Sequence, residues 1–266
     1  MTRIVAVVES RMSSTRLPGK NLKPILGRPM VSRLLERVKQ SAAVNVICLA
    51  TSRDPSDDPL EAVARAEGVA CYRGSLEDVL SRTLEAAQSV HGDVIVEITG
   101  DCPLIDPSII DAMLSRYLKG GFDYVANVLD HLSFPIGLDV QLFAVDLLAK
   151  INRLTNRPYD RANVTPFIYQ NPQRYRLLNL YAPPGLHRPQ YRLCVDYPQD
   201  FDVVTTIYET LYPQNPHFDA SDMIQLLDAR PDLARHNTSR EDAFLFPTSG
   251  GAATQDMLSV THALIP

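Results

Sequence analysis

The sequence predicts an α/β fold, a Rossmann-like, mostly parallel sheet wound on both sides by helices, and three observations carry that prediction. Short apolar runs recur at Ile4–Val8, Val44–Ala50, Val69–Tyr72 and Val94–Ile98, each of the kind buried on both faces of a parallel sheet. Amphipathic stretches separate them at Met30–Gln40, Pro59–Glu67 and Leu76–Val90. A βαβα alternation of this kind puts ligands at the carboxyl ends of the strands.

The first run leads into SRMSSTRLPGK, Ser10 to Lys20. A strand-to-helix loop usually needs about two to six residues, whereas this one is long, carries Arg11, Arg16 and Lys20, and adds the hydroxyls of Ser10, Ser13, Ser14 and Thr15. Extra length asks for a ligand, and the charge makes that ligand an anion, with amides, hydroxyls and cations suited to a triphosphate. The loop is not a Walker A, because Asn21 follows Gly19-Lys20 and Ser13 stands where the first glycine belongs; a GxGxxG is absent here too.

The helix over Met30–Gln40 carries Val31, Leu34, Leu35 and Val38 on one face. After the second strand, Asp57 and Asp58 before Pro59 form a helix start. The loops ATSRDPSDDP and YRGSLEDVLSR bring Thr51, Ser52, Arg73, Gly74 and Ser75 to the crevice edge. There they either read a base or are ordinary loops. The fourth strand ends in EITGDCPLID: Asp101 is poised to hold Mg²⁺, which takes one or two carboxylates plus phosphate oxygens. Asp106, before Pro107, fits a helix cap.

After Gly120-Gly121 the rhythm changes. Phe122–Val128, Leu138–Phe143 and Tyr175–Tyr181 read as strands and Asp160–Tyr169 as a helix, expected as excursions from the main sheet that form a lid or a subunit interface over about 122–190. Tyr191–Val195 reads as a returning strand ending at Asp196, a second carboxylate able to complete a metal site. Helices follow at Pro198–Leu211 and Ser221–Asp228. One domain is expected over 1–235, and a loosely held tail over 236–266.

Composition narrows the function. The chain has 266 residues and a formal net charge of -5, against a general nucleic-acid binder and in favour of a local basic site for a small phosphorylated ligand. No apolar run approaches the roughly 18 residues of a membrane span, and the N-terminus lacks a signal-peptide pattern, so a cytoplasmic protein is expected. Cys48, Cys71, Cys102 and Cys194 are scattered singly and read as buried free thiols. The histidines show no zinc spacing.

Taken together, SRMSSTRLPGKNL, ITGDCPLIDP, FPIGLDV, VTPFIY and RLCVDYPQDF resemble, in that order, the cytidylyltransferases of the spore-coat polysaccharide type, relatives of the CMP-Kdo and CMP-sialic acid synthetases. The similarity runs from about Thr2 to Leu226. The resemblance implies a GT-A-like nucleotidyltransferase fold, a homodimer, and Mg²⁺-dependent transfer of CMP from CTP to an anionic acceptor with loss of pyrophosphate. By position, Arg11, Arg16 and Lys20 match the family's triphosphate grip, Asp101 and Asp196 its Mg²⁺ aspartates, and Arg73 and Ser75 its base and ribose contacts. The segments Pro135–Asp139 and Arg161–Tyr169 match its acceptor pocket and subunit contact, which makes Asp139, Arg161 and Asn163 acceptor candidates; Arg192, like Arg161 and Arg188, is a cation available for an anionic acceptor group or for the surface or interface. The chain departs from the family at Glu9 and Ser13, and at Ala162-Asn163, where the family has Glu-His. Two other readings stay open: a GT-A glycosyltransferase, although the acids of GDCPLID are spaced too widely for a DxD pair, and a nucleotide-binding relative without turnover.

Overall fold

The chain opens with β1 (Ile4–Glu9), makes a small hairpin from β2 (Pro24–Ile25) and β3 (Arg28–Pro29), and enters α1 (Met30–Val38). It runs on through β4 (Val46–Ser52), α2 (Asp58–Glu67), β5 (Ala70–Gly74), α3 (Val79–Ser89) and β6 (Val94–Thr99) to α4 (Pro107–Leu118). Next come β7 (Tyr124–Ala126), β8 (Gln141–Ala144), α5 (Val145–Leu154), α6 (Pro158–Asn163), α7 (Pro166–Tyr169) and β9 (Leu177–Tyr181). The last elements are α8 (Pro198–Leu211), α9 (Ala220–Ala229), α10 (Pro231–Arg235) and β10 (Thr254–Met257). The structure, a computed structural model, describes residues 2–237 and 254–257; apart from β10, the tail expected beyond 236 lies almost wholly outside them.

The main sheet has eight strands in the order β10-β9-β7-β8-β6-β1-β4-β5. All neighbours are parallel except those of β8, which runs antiparallel to both β6 and β7. Apolar side chains alternate between its two faces. One core layer takes Ala6 and Val8 of β1 with α1, α2, α4, α8 and α9, and the other takes Val5 and Val7 with α3, α5 and α7. This double burial is why the parallel strands read as continuous apolar runs.

From β1 the chain steps outward to β4 and β5, then crosses back to lay β6 on the other side of β1. Strand order therefore reverses between β1 and β6, the place where open α/β sheets bind ligands. The two strand ends approach closely there: Gly100 N donates to Glu9 O at 2.7 Å. A Cβ on Gly100 would lie 2.6 Å from that oxygen, so only glycine fits.

Several elements differ from expectation. The strands of 122–181 join the main sheet as β7, β8 and β9 instead of leaving it. The expected strand Tyr191–Val195 makes only one bridge, Ile136 to Arg192; Leu193 and Val195 are apolar because they fill a core layer, not because they join a ladder. The helix expected over Asp160–Tyr169 is two, broken where Val164 takes φ +64° ahead of Thr165-Pro166. Helix α5 was not anticipated; it begins straight from β8 with no side-chain cap, although Val145, Leu148 and Ile151 form a buried stripe at helical spacing.

Candidate active site

A cleft of about 270 Å³ opens over the carboxyl ends of β1 and β6. One wall is the basic loop. Asp57 from beyond the loop and Asn21 at its end fix its shape: Met12 N donates to Asp57 Oδ1 at 2.7 Å, and Asn21 Nδ2 donates to Arg11 O at 2.7 Å. Asp57 is buried and also accepts from Ser52 N at 3.0 Å, so it ties the loop to the end of β4 instead of capping α2. Gly19, at φ +69°, turns the chain into a short 3₁₀ turn that begins at Lys20.

Lys20 is the centre of the charge arrangement. Its buried Nζ donates to Val195 O at 2.7 Å, to Asp196 Oδ1 at 3.1 Å and to Asp101 Oδ2 at 3.3 Å. Asp196 also receives Arg16 at 2.7 Å and Arg192 at 2.8 Å. Asp200, at the start of α8, accepts from the amides of Asp196 and Tyr197 at 2.9 Å each and from Arg192 Nε at 3.0 Å, which fixes the backbone that presents Asp196. Val195 N donates to Asp101 O at 2.7 Å and stitches the two aspartate-bearing segments together.

The electrostatics follow from this packing. Burial pushes the Asp101 carboxyl up, but the Lys20 ammonium and the Thr99 hydroxyl outweigh it and hold the group below the usual carboxylate range. Burial pulls Lys20 down, and the two aspartates overcome it and hold the ammonium above its ordinary value. Both groups therefore stay ionised in the cleft.

Asp101 and Asp196 thus converge on the Lys20 ammonium. Among the described residues no group of three or more His, Cys, Asp or Glu side chains forms a metal site unaided. Two hard carboxylates beside a phosphate-binding loop are nevertheless the donor set Mg²⁺ uses when a nucleotide supplies the remaining oxygens. The residues fit the ion.

Of the residues singled out from sequence, Arg11, Ser13, Ser14, Thr15, Arg16, Lys20, Asp101 and Asp196 all line the cleft. Thr51, Arg73 and Ser75 do not. Thr51 is buried in β4. Arg73 donates to Ser52 O and Asp54 O, both at 2.8 Å, and pairs with Asp58 and Glu61. Ser75 Oγ accepts from Asp78 N at 3.0 Å.

The acceptor candidates lie outside the lining as well. Arg161 grips Asp78 and the Asn152 carbonyl and side chain, Asn163 Nδ2 donates to Tyr159 O at 2.8 Å, and Arg192 is buried against Asp196 and Asp200. Asp139 is buried within electrostatic reach of Asp101. Burial pushes its carboxyl up to about 7, with Asp101 adding to the rise and the Gly137 amide and Arg192 opposing it.

The remaining lining includes Asn21, Val79, Arg82, Thr99 and Ala162, none of them assigned to the site from sequence. Asn21, Thr99 and Ala162 lie in or beside segments the sequence already marked; Val79 and Arg82 come from α3, far away in sequence.

Comparison with known proteins agrees with this geometry. The family model described as Cytidylyltransferase matches residues 5–220. The chain is 35% identical to the spore coat polysaccharide biosynthesis protein SpsF of Bacillus subtilis, over 91% of this chain and 99% of that one. A protein of Methanocaldococcus jannaschii, MJ1063, is 33% identical over 89% of this chain and 95% of its own. Among solved structures, a cytidylyltransferase from Leptospira borgpetersenii superposes with a TM-score of 0.83 at 28% identity, covering 90% of this chain and 98% of that one. CMP:2-keto-3-deoxy-manno-octonic acid synthetase, solved with CTP, shares the fold at TM-score 0.59 and 20% identity, over 78% and 99% of the two chains.

Proposed function

The chain belongs to the cytidylyltransferase family, and from that premise we propose that it transfers CMP from CTP to a small anionic acceptor and releases pyrophosphate. The acceptor is a sugar acid, a sugar phosphate or a phosphonate. The observation that carries this reading is the convergence of Lys20, Asp101 and Asp196 at the strand-order reversal, beside a loop with two further cations.

Such a transfer needs little covalent help from protein; positioning and charge neutralisation supply most of the rate. Arg11, Arg16 and Lys20 bind the triphosphate and stabilise the charge that gathers on the departing pyrophosphate. Lys20 reaches that position on a chain already anchored by its contacts to both aspartates and Val195 O. Asp101 and Asp196 are the residues that hold Mg²⁺, which when bound supplies Lewis-acid neutralisation of phosphate oxygens. An acceptor carboxylate, phosphate or phosphonate is already anionic, so no protein base is required.

The relative named for spore coat polysaccharide biosynthesis supports a role in supplying activated sugar for a polysaccharide. The same reading extends to a cytoplasmic homodimer paired through about 122–190, which light scattering tests. The reaction is tested by pyrophosphate release with Mg²⁺ and CTP across sugar acids, sugar phosphates and phosphonates. Release with one class, lost in Asp101→Asn, is the expected result; release that persists in Asp101→Asn rejects the assignment of that residue.

A further inference from the structure

The cleft has a second polar region, apart from Lys20 and the two aspartates, built on Glu9, Ser10 and Arg82 with Val79 and Ala162 beside them. Two of these residues are almost wholly buried yet keep unused hydrogen-bonding capacity: Ser10 Oγ and Arg82 Nε have no partner among the described residues. Buried polar atoms are nearly always satisfied, so this wall is shaped for a polar, partly apolar ligand group. Val79 and Ala162 supply the apolar contact.

Glu9 is held there from two sides. The Thr83 hydroxyl of α3 donates to Glu9 Oε1 at 2.6 Å. Behind it stands Glu97 of β6. Val7 pairs with Glu97 and Glu9 with Thr99, so the two glutamates project from the same face of the sheet on adjacent strands. The two carboxyls are hydrogen-bonded to each other. Burial pushes both carboxyls up, Glu97 well above its ordinary value, and two buried carboxyls in contact cannot both ionise. At Glu9 the Thr83 hydroxyl and then the positive charge of Arg82 oppose that rise, whereas every influence on Glu97 adds to it. Glu9 is left as the hydrogen-bond acceptor of the cluster.

We propose that Glu9 is the specificity residue for the base, its carboxylate accepting a hydrogen bond from the exocyclic N4 amine of cytosine. The inference rests on the proposed use of a cytidine nucleotide and names the group that selects it. Cytosine presents an N4 amine donor where uracil presents the O4 acceptor. A carboxylate that attracts the first repels the second, so the same contact binds CTP and excludes UTP. Thr83 and Glu97 are positioning residues: their donors fix the carboxylate and leave its remaining acceptor capacity to the ligand.

The test is equilibrium binding of CTP and of UTP, with Mg²⁺, to the wild type, Glu9→Gln and Thr83→Val. The wild type is expected to bind CTP on the order of ten to a hundred times more tightly than UTP, the range one good base-edge contact gives. Glutamine can turn either its amide nitrogen or its oxygen to the base, so E9Q is expected to bring the ratio to within about threefold, with UTP gaining. T83V loosens the carboxylate and moves the ratio the same way by a smaller factor, which keeps the test decisive if E9Q folds poorly. A ratio unchanged in both variants, or both nucleotides weakened by one common factor, overturns the inference and leaves Glu9 a structural group. A wild type that binds CTP and UTP equally overturns it too, while triphosphate binding itself stands. Failure of the wild type to bind either nucleotide overturns the cytidylyltransferase reading, and the inference with it.

Discussion

Replacing Asp139 by asparagine should stabilise the protein, and only in a defined pH range. The Asp139 carboxyl lies within electrostatic reach of Asp101; its Oδ1 is buried without a partner among the described residues, and its Oδ2 accepts a long 3.4 Å bond from Gly137 N. Burial, with Asp101 nearby, pushes it from 3.8 to about 7. Because the folded state holds this proton more tightly than the unfolded chain, stability falls as pH rises from about 4 to about 7 and then levels off. At about 1.4 kcal/mol per pH unit, that span of about three units sets a ceiling of about 4 kcal/mol on the cost above pH 7. Asparagine has the same shape and never ionises. In metal-free buffer Asp139→Asn should match the wild type near pH 4 and exceed it by about 2–4 kcal/mol at pH 8, raising the melting temperature by at least about 4 °C. Urea melts at pH 4, 6 and 8 measure this directly. A variant less stable at pH 8, or a difference that does not change with pH, would refute the reasoning.

Other substitutions probe the scaffold around the cleft. Gly137→Ala should cost about 2–4 kcal/mol and depress turnover, since Gly137 has φ +99° and a Cβ would meet Cys194 N at 2.5 Å, displacing the segment that leads to Asp196; thermal melts and pyrophosphate release report the two effects. Arg161→Ala should lose about 1–3 kcal/mol at pH 7 by breaking the contacts to Asp78 and Asn152. Burial raises the Asp78 carboxyl, but Arg161 outweighs it and holds the group low, so the pair's contribution is present above about pH 4 and lost as pH falls through the folded value; the gap between R161A and wild type in acid denaturation should narrow accordingly. Arg37→Met should destabilise by about 2–4 kcal/mol in chemical denaturation, because buried Arg37 donates to Ile105 O at 2.6 Å and Phe218 O at 3.1 Å and stacks on the Phe218 ring.

The elements legible in the sequence were those whose signal is local. Strands β1, β4 and β6 are buried on both faces, so their apolar runs stood out, and the half-buried edge strand β5 kept a shorter run. Asp106 capped α4 as its place before Pro107 suggested, accepting from Ser108 N at 2.7 Å. Arg11, Arg16 and Lys20 sit in one loop and Asp101 just past a strand end, and strand ends in this topology meet at one cleft; Asp196 reaches the same cleft from a segment that forms no strand. Residues that act across the fold gave no such sign. Asp57 reaches the amide of Met12 across 45 positions, and its neighbours Asp58 and Pro59 made it look like a plain helix start. Arg161 looked like a free cation in an acceptor segment, yet its partner Asp78 is 83 positions away. Tyr191–Val195 showed apolar content without the ladder, because burial of this segment comes from packing under the sheet end rather than from pairing.

The most direct test of the central claim follows the phosphorus atoms of CTP. With Mg²⁺ and the acceptor identified from the panel, CTP labelled at the α-phosphorus and CTP labelled at the γ-phosphorus are turned over in parallel. Cytidylyl transfer predicts that the α label becomes covalently joined to the acceptor as a cytidylyl anhydride and the γ label leaves as pyrophosphate, with both lost together in Lys20→Met. Release of the γ label as inorganic phosphate, with the α label remaining in a cytidine diphosphate, would contradict attack at the α-phosphorus and the function proposed.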